Sequence, residues 1–414
     1  MKRFWAGAEK WCFVFFLLLL PGQLGKHFWP EWSYVKGIRV DYLSPTFYLT
    51  DLLFLLLVSL RWLNKGWSYK KCLRKWWWFG VLVLLNLIWA NNWKIAGYGW
   101  LRFFSWWWLI DYVKKESRSN KKWGKMKKLL TKIIPWWLVV ESCLGMAQVV
   151  NGGSIDGLFY WLGERRFSYL SLGVAKFKLF WEMRVRAYGT FSHPNSMAGF
   201  MLVALMLWGI VKKRRDWKWW VVFWFGIVGI LLSGSRAIWL ASVVGLMVNN
   251  YKKYLKLWKK QKDVVKRLGW GLLVLGGILL ILGIVGDWSW SGWDRQSLKK
   301  RLMLNRYAIE MLEDNFWLGV GRSNFLVSLF KYEAESRVFW LQPVHNIFLL
   351  ILTELGVVGL LFLLKWWLVL FGGGKKRRAI LKILGMIVLT GMVDHYWLSL
   401  EQNWWLMALV LGWW

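Results

Sequence analysis

Along this 414-residue chain, long apolar segments alternate with short polar connections. About 20 apolar residues in helical form cover about 30 Å of hydrocarbon, so segments near that length have few options. In lipid, every backbone N–H and C=O must find its partner within the segment or a closed barrel, and runs this long satisfy that as helices. The spans fall at about 11–28, 42–63, 76–91, 95–113, 133–150, 195–211, 219–233, 236–249, 268–285, 344–371, 379–396 and 402–414. The expected fold class is all-α, a polytopic integral membrane protein with about 12 transmembrane helices.

The connections set the orientation. Loops after the second, fourth, sixth, eighth and tenth spans are strongly basic. Residues 114–132 hold nine Lys or Arg against the single acid Glu116, and 252–267 hold eight against Asp263. The longest polar stretch, 287–343, is balanced, with eight basic and seven acidic residues. Basic loops stay on the cytoplasmic side, which places both termini inside. Loop 151–194, the Ser233-Gly234-Ser235 turn and loop 287–343 are then all expected on the outer, periplasmic-side face of the cytoplasmic membrane. Lys2, Arg3 and Lys10 precede an apolar run ending at Pro21, a signal-like start without a small-residue cleavage pattern, so a retained first helix is expected.

Composition agrees. The chain is 57% hydrophobic despite a net charge of +35. In a soluble domain such a charge points to nucleic acid, but here the excess lies in short loops that rest against anionic lipid. No nucleic-acid partner is expected. Many of the 40 tryptophans cluster where spans meet charged loops, as at Trp106–Trp108, where indole rings favour the headgroup region. Cys12, Cys72 and Cys143 lie in or beside apolar spans without paired spacing, which argues against a disulfide framework or a thiolate metal cluster.

The polar residues that could do chemistry sit at the ends of spans. In GTFSHPNSMAGF, Ser192 or Asn195 can cap a helix that Pro194 opens. His193 and Asn195 then form a polar wall whose free N–H groups suit an anion. Arg236 follows Gly234-Ser235 at a helix start, where its five-donor fork suits a diphosphate. Leu298, Leu302, Ile309, Leu312 and Phe316 recur at helical spacing, with Arg306 on a neighbouring face one turn before Glu310. GVGRSNF at 319–325, which contains Arg322, has glycines but lacks the spacing and lysine of a phosphate loop. His345 with Asn346 opens the tenth span, and its imidazole can exchange a proton near neutral pH. Glu354 lies nine residues into that span, and Asp394-His395 form a further polar pair. The histidines show no metal-ligand spacing, and no metal or cofactor is expected.

GTFSHPNSMAGF, LLSGSRAIWLA and RYAIEMLEDNFWLGVGRSNF…PVHNIFLLILTELGVVGLL together resemble the O-antigen ligase and O-antigen polymerase family over roughly 185–400. The resemblance implies a GT-C-like glycosyltransferase using an undecaprenyl-diphosphate-linked glycan as donor. The acceptor would be a hydroxyl of another glycan, of lipid A-core or of protein. It also implies catalytic roles for Arg236 and Arg306 on the diphosphate and for His345 at the attacking hydroxyl, without a metal. His193, Asn195, Arg322 and Asn346 are the candidate substrate-binding residues. The competing class is a transporter or flippase of a lipid-linked oligosaccharide, for which broken helices and polar residues at the membrane midplane are the signature. The expected organisation is 1–150 as helices 1–5, 151–194 as an external loop with interfacial helices, 195–286 as helices 6–9, 287–343 as a large external loop and 344–414 as helices 10–12.

Overall fold

The computed structural model describes the chain except residues 1, 67–68, 119, 180–181, 213, 245–291, 333–340, 371–376 and 414. The ninth span, the basic loop 252–267 and the GGG turn before Arg377 lie wholly or largely outside the described residues, as do the ends of the eighth span and parts of loop 287–343. Of the described residues, 70% are helical. In chain order the helices are α1 (Lys2–Leu18), α2 (Leu49–Lys65), α3 (Tyr69–Trp89), α4 (Trp93–Ser117), α5 (Asn120–Asn151), α6 (Leu158–Trp161), α7 (Pro194–Val211), α8 (Trp217–Leu232), α9 (236–244), α10 (Gly292–Asp314), α11 (Phe325–Leu329), α12 (Ile347–Leu370), α13 (Arg377–Gly391), α14 (Tyr396–Ser399) and α15 (Glu401–Trp413). Among the described residues, three helical stretches are long and apolar enough to cross a membrane: Lys122–Asn151, Pro194–Val211 and Ile347–Lys365. Shorter apolar helices are Trp77–Trp89, Trp217–Leu232 and Ile380–Gly391.

Local chemistry explains the helix starts. Asn92 caps α4 by accepting from the Lys94 and Ile95 N–H groups, and the Asp216 carboxylate caps α8 through Trp219 N. α7 begins at Pro194, and its cap is neither Ser192 nor Asn195: the backbone N–H of Asn195 donates to His193 Nδ1 at 3.1 Å. The ring nitrogen takes the place a hydroxyl or amide oxygen usually holds, which frees the Asn195 side chain for a longer reach.

Several expectations need correction. The basic segment 114–132 is not an open loop, because α4 runs to Ser117 and α5 starts at Asn120. At 32 residues α5 is about 48 Å long, longer than the hydrocarbon core, so its lysine-rich first turns extend past the apolar region. The first helix ends at Leu18 rather than near 28. Short antiparallel hairpins also interrupt the all-α picture. β1 (Gly25–His27) pairs with β4 (Thr46–Tyr48), β2 (Tyr34–Val35) with β3 (Ile38–Arg39), and β5 (Lys176–Leu179) with β6 (Glu182–Val185). Among its described residues, the loop 151–194 therefore holds the β5–β6 pair beside one short helix, α6.

Helices α1 and α2 pack together, as do α4 and α15, and α5 packs on both α7 and α8. At one end of this bundle, Arg61 of α2 donates to Glu9 of α1 at 2.8 Å and to Glu116 of α4 at 2.9 Å, and Trp123 stacks on Trp413. Arg102 is also a tie between helices, paired with Asp51 of α2 and Glu401 of α15. The other end carries the hairpins and the connections 19–48, 152–193 and 392–400. Thr190 Oγ1 meets Pro21 O at 2.7 Å there, joining two of these connections.

Helix α12 is broken at Gly356, whose φ of +63° suits glycine and where a Cβ would overlap the Trp317 carbonyl. The turn 316–321 fills the break. Val320 N–H donates to Thr353 O at 2.8 Å, Gly321 N–H to Glu354 O at 3.1 Å, and Val357 N–H to Phe316 O at 2.9 Å. A broken helix of this kind was the expected mark of a transport path. Here protein occupies the gap and the freed backbone groups are paired with the turn.

Candidate active site

The segment 186–193 is held rigidly before it reaches α7. Gly189 sits at φ +58° with its α-carbon against the Glu141 carboxylate, leaving no room for a side chain. Gln148 accepts from the N–H groups of Tyr188 (3.0 Å) and Gly189 (2.8 Å) and donates to Gly189 O at 2.8 Å. Glu141 accepts from Thr190 N–H at 2.8 Å. Ala187 N–H donates to Leu232 O at 2.9 Å, which fixes the strand against the end of α8. The result is a defined direction for the Arg186 side chain.

Arg186 donates through Nε to the Ser233 carbonyl, and through Nη2 to Asn195 Oδ1 at 2.6 Å. Gly234, at φ +61°, lies directly against that guanidinium. The Asn195 amide then donates from Nδ2 to Asp394 Oδ2 at 2.8 Å. Asp394 Oδ1 accepts from His395 N–H at 2.8 Å. The His395 ring meets Ser399 Oγ through Nδ1 at 2.6 Å, the Tyr42 ring edge-on at 5.5 Å and the His345 ring at 5.1 Å. Arg301 reaches the same place from α10, its guanidinium donating to Val393 O at 3.4 Å. The HPN turn, the Ser-Gly-Ser turn, His345 and the Asp394-His395 pair therefore converge.

The electrostatics are lopsided. Arg236 and Arg301 each lie close enough to Arg186 to disfavour its charge, while Asp394 favours it. Burial lowers the Arg186 guanidinium to about 10, with the neighbouring arginines pushing the same way, so it stays charged at neutral pH. Burial alone would raise the Asp394 carboxyl, but the three histidines and Arg301 hold it well below the usual carboxylate range. His345 moves down because burial disfavours its cationic form, which leaves a neutral imidazole. Its Nδ1 is enclosed and has no hydrogen-bond partner among the described residues.

The other residues singled out from the sequence fall in different places. His193 is exposed beside this cluster, and Arg236 opens α9 with an exposed side chain. Arg306 points away: it is 79% exposed and donates to Glu310 at 2.7 Å, one turn on. The reason is the stripe that α10 buries. Leu304, Ala308 and Met311 face the core, whereas Leu298, Leu302, Ile309 and Phe316 stay exposed. Arg301 lies in line with the buried stripe, and Arg306, five residues on, is rotated by about 140°. Arg322 is buried and donates to Glu354 at 2.7 Å, while its N–H donates to Asn86 at 2.9 Å. That side chain locks the 316–321 turn into the break in α12. Asn346 caps α12 by accepting from Phe348 and Leu349 N–H.

Reading the sequence alone misses Arg186 and Arg301, and finds Asp394-His395 without linking them to His345. Arg186 stands in MRVRAYGTF, beside the HPN motif. Histidine spacing along the chain gives no sign of a cluster, yet one ligand atom each of His345, Asp394 and His395 lies within 4.8 Å of the others.

Residues 221–364 match the family model described as O-antigen ligase. That match supports the O-antigen ligase and polymerase family for this chain. The matched segment takes in α9, α10 with Arg301, His345 and most of α12. Arg186 and Asp394 lie outside it and are joined to it only through the fold. No curated protein matches the chain.

Proposed function

We propose that the chain transfers a glycan from an undecaprenyl-diphosphate-linked donor to an acceptor hydroxyl at the outer face of the cytoplasmic membrane. The observation that carries this reading is the set of like charges held together beside a neutral imidazole. Arg236 and Arg301 both lie near enough to disfavour the charge on buried Arg186, and a diphosphate bound among them relieves that. Guanidinium forks match phosphate oxygens two at a time. They stabilise the charge that grows on the diphosphate as the bond between it and the sugar's anomeric carbon breaks. The acceptor oxygen forms the new bond to that carbon, the diphosphate leaves with the electron pair, and the hydroxyl proton passes to His345. His193 and Asn195 line the approach. Asn195, pinned between Arg186 and Asp394, fixes the distance between the anion-binding and proton-accepting halves. Two or more guanidiniums supply the charge that a divalent ion supplies elsewhere, so the reaction needs no metal.

The strongly basic connections at the opposite end favour the cytoplasmic side and so support an outside location for this site, where lipid-linked glycans are presented. Reconstitution in liposomes with a synthetic diphosphate-linked glycan and a panel of glycan, lipid A-core and peptide acceptors tests the reading by mass analysis of the products. Glycan moved across the bilayer with the diphosphate bond intact would instead make the protein a transporter.

A further inference from the structure

We infer that His345, Asp394 and His395 form a binding site for a divalent transition-metal ion of the zinc type, and that the bound ion blocks the transfer reaction. The blocking half rests on the reading of His345 as proton acceptor, and the binding half does not. The donor set is two imidazoles and one carboxylate, a combination borderline-soft ions such as zinc prefer and magnesium or calcium do not. One ligand atom from each residue lies within 4.8 Å of the others. Ligands about 2.0–2.2 Å from a tetrahedral zinc stand about 3.4 Å apart, so the widest pair closes by little more than an ångström. All three residues sit in connections rather than within helices, where side-chain rotation can supply that closure.

The surrounding hydrogen bonds prepare the ligands. The Ser399 hydroxyl has one hydrogen, and it donates that to His395 O at 3.1 Å. Its lone pair therefore accepts the His395 Nδ1–H at 2.6 Å. This leaves His395 Nε2 with a free lone pair and an oriented ring, the arrangement that metal-binding histidines have. Asp394 is oriented in the same way by Asn195 Nδ2 and by His395 N–H, one hydrogen bond to each oxygen. His345 Nδ1 is buried and idle among the described residues. Arg186 and Arg301 oppose a dication here, while Asp394 favours it. The site is therefore a three-ligand, open one of moderate affinity, with its free position turned to water or to an anion. Once an ion is bound, the lone pair that His345 needs for a proton is committed to the metal, and the dication stands where the acceptor hydroxyl must approach.

The full-length protein in nanodiscs, titrated with cobalt(II), tests the site without any enzyme assay. One equivalent with the visible ligand-field bands of a nitrogen- and oxygen-ligated tetrahedral ion is expected, displaced by zinc. His395→Gln and Asp394→Asn should lose that equivalent while keeping the melting profile of the parent. Ser399→Ala, which keeps all three ligands, should weaken binding by roughly tenfold or more. No bound equivalent, an intense thiolate charge-transfer band, or binding unchanged in His395→Gln would overturn the site. In the transfer assay, zinc should inhibit and a chelator should restore the rate. Zinc that stimulates transfer, or that fills the site and leaves transfer unchanged, would overturn the blocking role. The cobalt titration reports on the site even if the protein proves to have no transferase activity, so failure of the site and failure of the transferase reading are told apart.

Discussion

Arg301 and Arg306 lie on the same helix, yet Arg301 donates to the Val393 carbonyl beside the Asp394-His395 pair while Arg306 points out to Glu310. The two are a natural control for each other. Arg301→Ala should lower transfer by about 10²–10³, the usual loss when one donor to a developing negative charge is removed. Arg306→Ala should retain near-parental transfer, because an exposed pair one turn apart is worth only a few tenths of a kcal/mol. Equal losses in the two variants, measured at matched expression, would remove Arg301 from the diphosphate site.

Arg186 and Asp394 are held at a fixed separation by the two ends of one amide, Asn195. Arg186→Lys keeps a positive charge but cannot reach Ser233 O and Asn195 Oδ1 together as a planar fork does. It should lose most of the transfer activity, with the loss appearing in kcat. Asn195→Asp keeps the size and the acceptor oxygen but places a second carboxylate against Asp394. Like charges at that range disfavour each other, so this variant should lose more than Asn195→Ala. Steady-state rates with a soluble acceptor distinguish the orders.

Much of the helical architecture was legible from the sequence because the length of an apolar span is a one-dimensional signal, and the start of α7 followed from Pro194, whereas the caps Asp216 and Asn346 were found only in the structure. The face of α10 was not. Its apolar residues form two stripes, and the one read from the sequence, Leu298 to Phe316, stays exposed, as lipid-facing or interfacial surfaces are. The buried stripe is Leu304, Ala308 and Met311. Choosing between them selects Arg301 or Arg306, and no local property makes that choice. The cluster of His345 with Asp394-His395 is likewise a product of tertiary packing between the entry of α12 and the exit of α13. Arg322 was misleading for a different reason. An arginine in a glycine turn looks available to a ligand, whereas here the turn is inserted into a broken helix and the guanidinium is consumed by Glu354.

That pairing gives a stability prediction with no activity component. Both side chains are buried, and removing one leaves the other charge uncompensated, a loss of about 3–5 kcal/mol in comparable buried pairs. Arg322→Met should therefore lower the melting temperature markedly and depress yield. The double variant Arg322→Met with Glu354→Leu should recover a large part of the loss, because no isolated charge remains. A single variant as stable as the parent would mean that water reaches Glu354.

Orientation across the bilayer is read by cysteine labelling from outside. In a cysteine-free background, Arg118→Cys lies between α4 and α5 at the basic end, and Leu172→Cys is at a position 89% exposed at the other end. An impermeant maleimide should label the cysteine at 172 in intact cells and reach the one at 118 only after permeabilisation. The reverse pattern would put the arginine cluster on the cytoplasmic face and remove the basis for a lipid-linked donor presented outside.

A sugar hydroxyl is a poor nucleophile at neutral pH, and a side chain that takes its proton as the bond forms contributes about 10²–10⁴ in rate. His345 is neutral, half-buried and in ring contact with His395 at 5.1 Å, within the field of Asp394. An imidazolium formed during transfer would be stabilised by that carboxylate, as an orienting acid stabilises a catalytic histidine elsewhere. His345→Asn keeps polarity and approximate size but cannot accept a proton near pH 7. It should leave expression and donor binding nearly intact and lower transfer by about 10² or more. Asp394→Asn should show a smaller loss in the same direction, since the base remains and only the stabilisation of its charged form is removed. Loss of donor binding in His345→Asn with normal single-turnover transfer would move His345 to the diphosphate and assign the proton to another group.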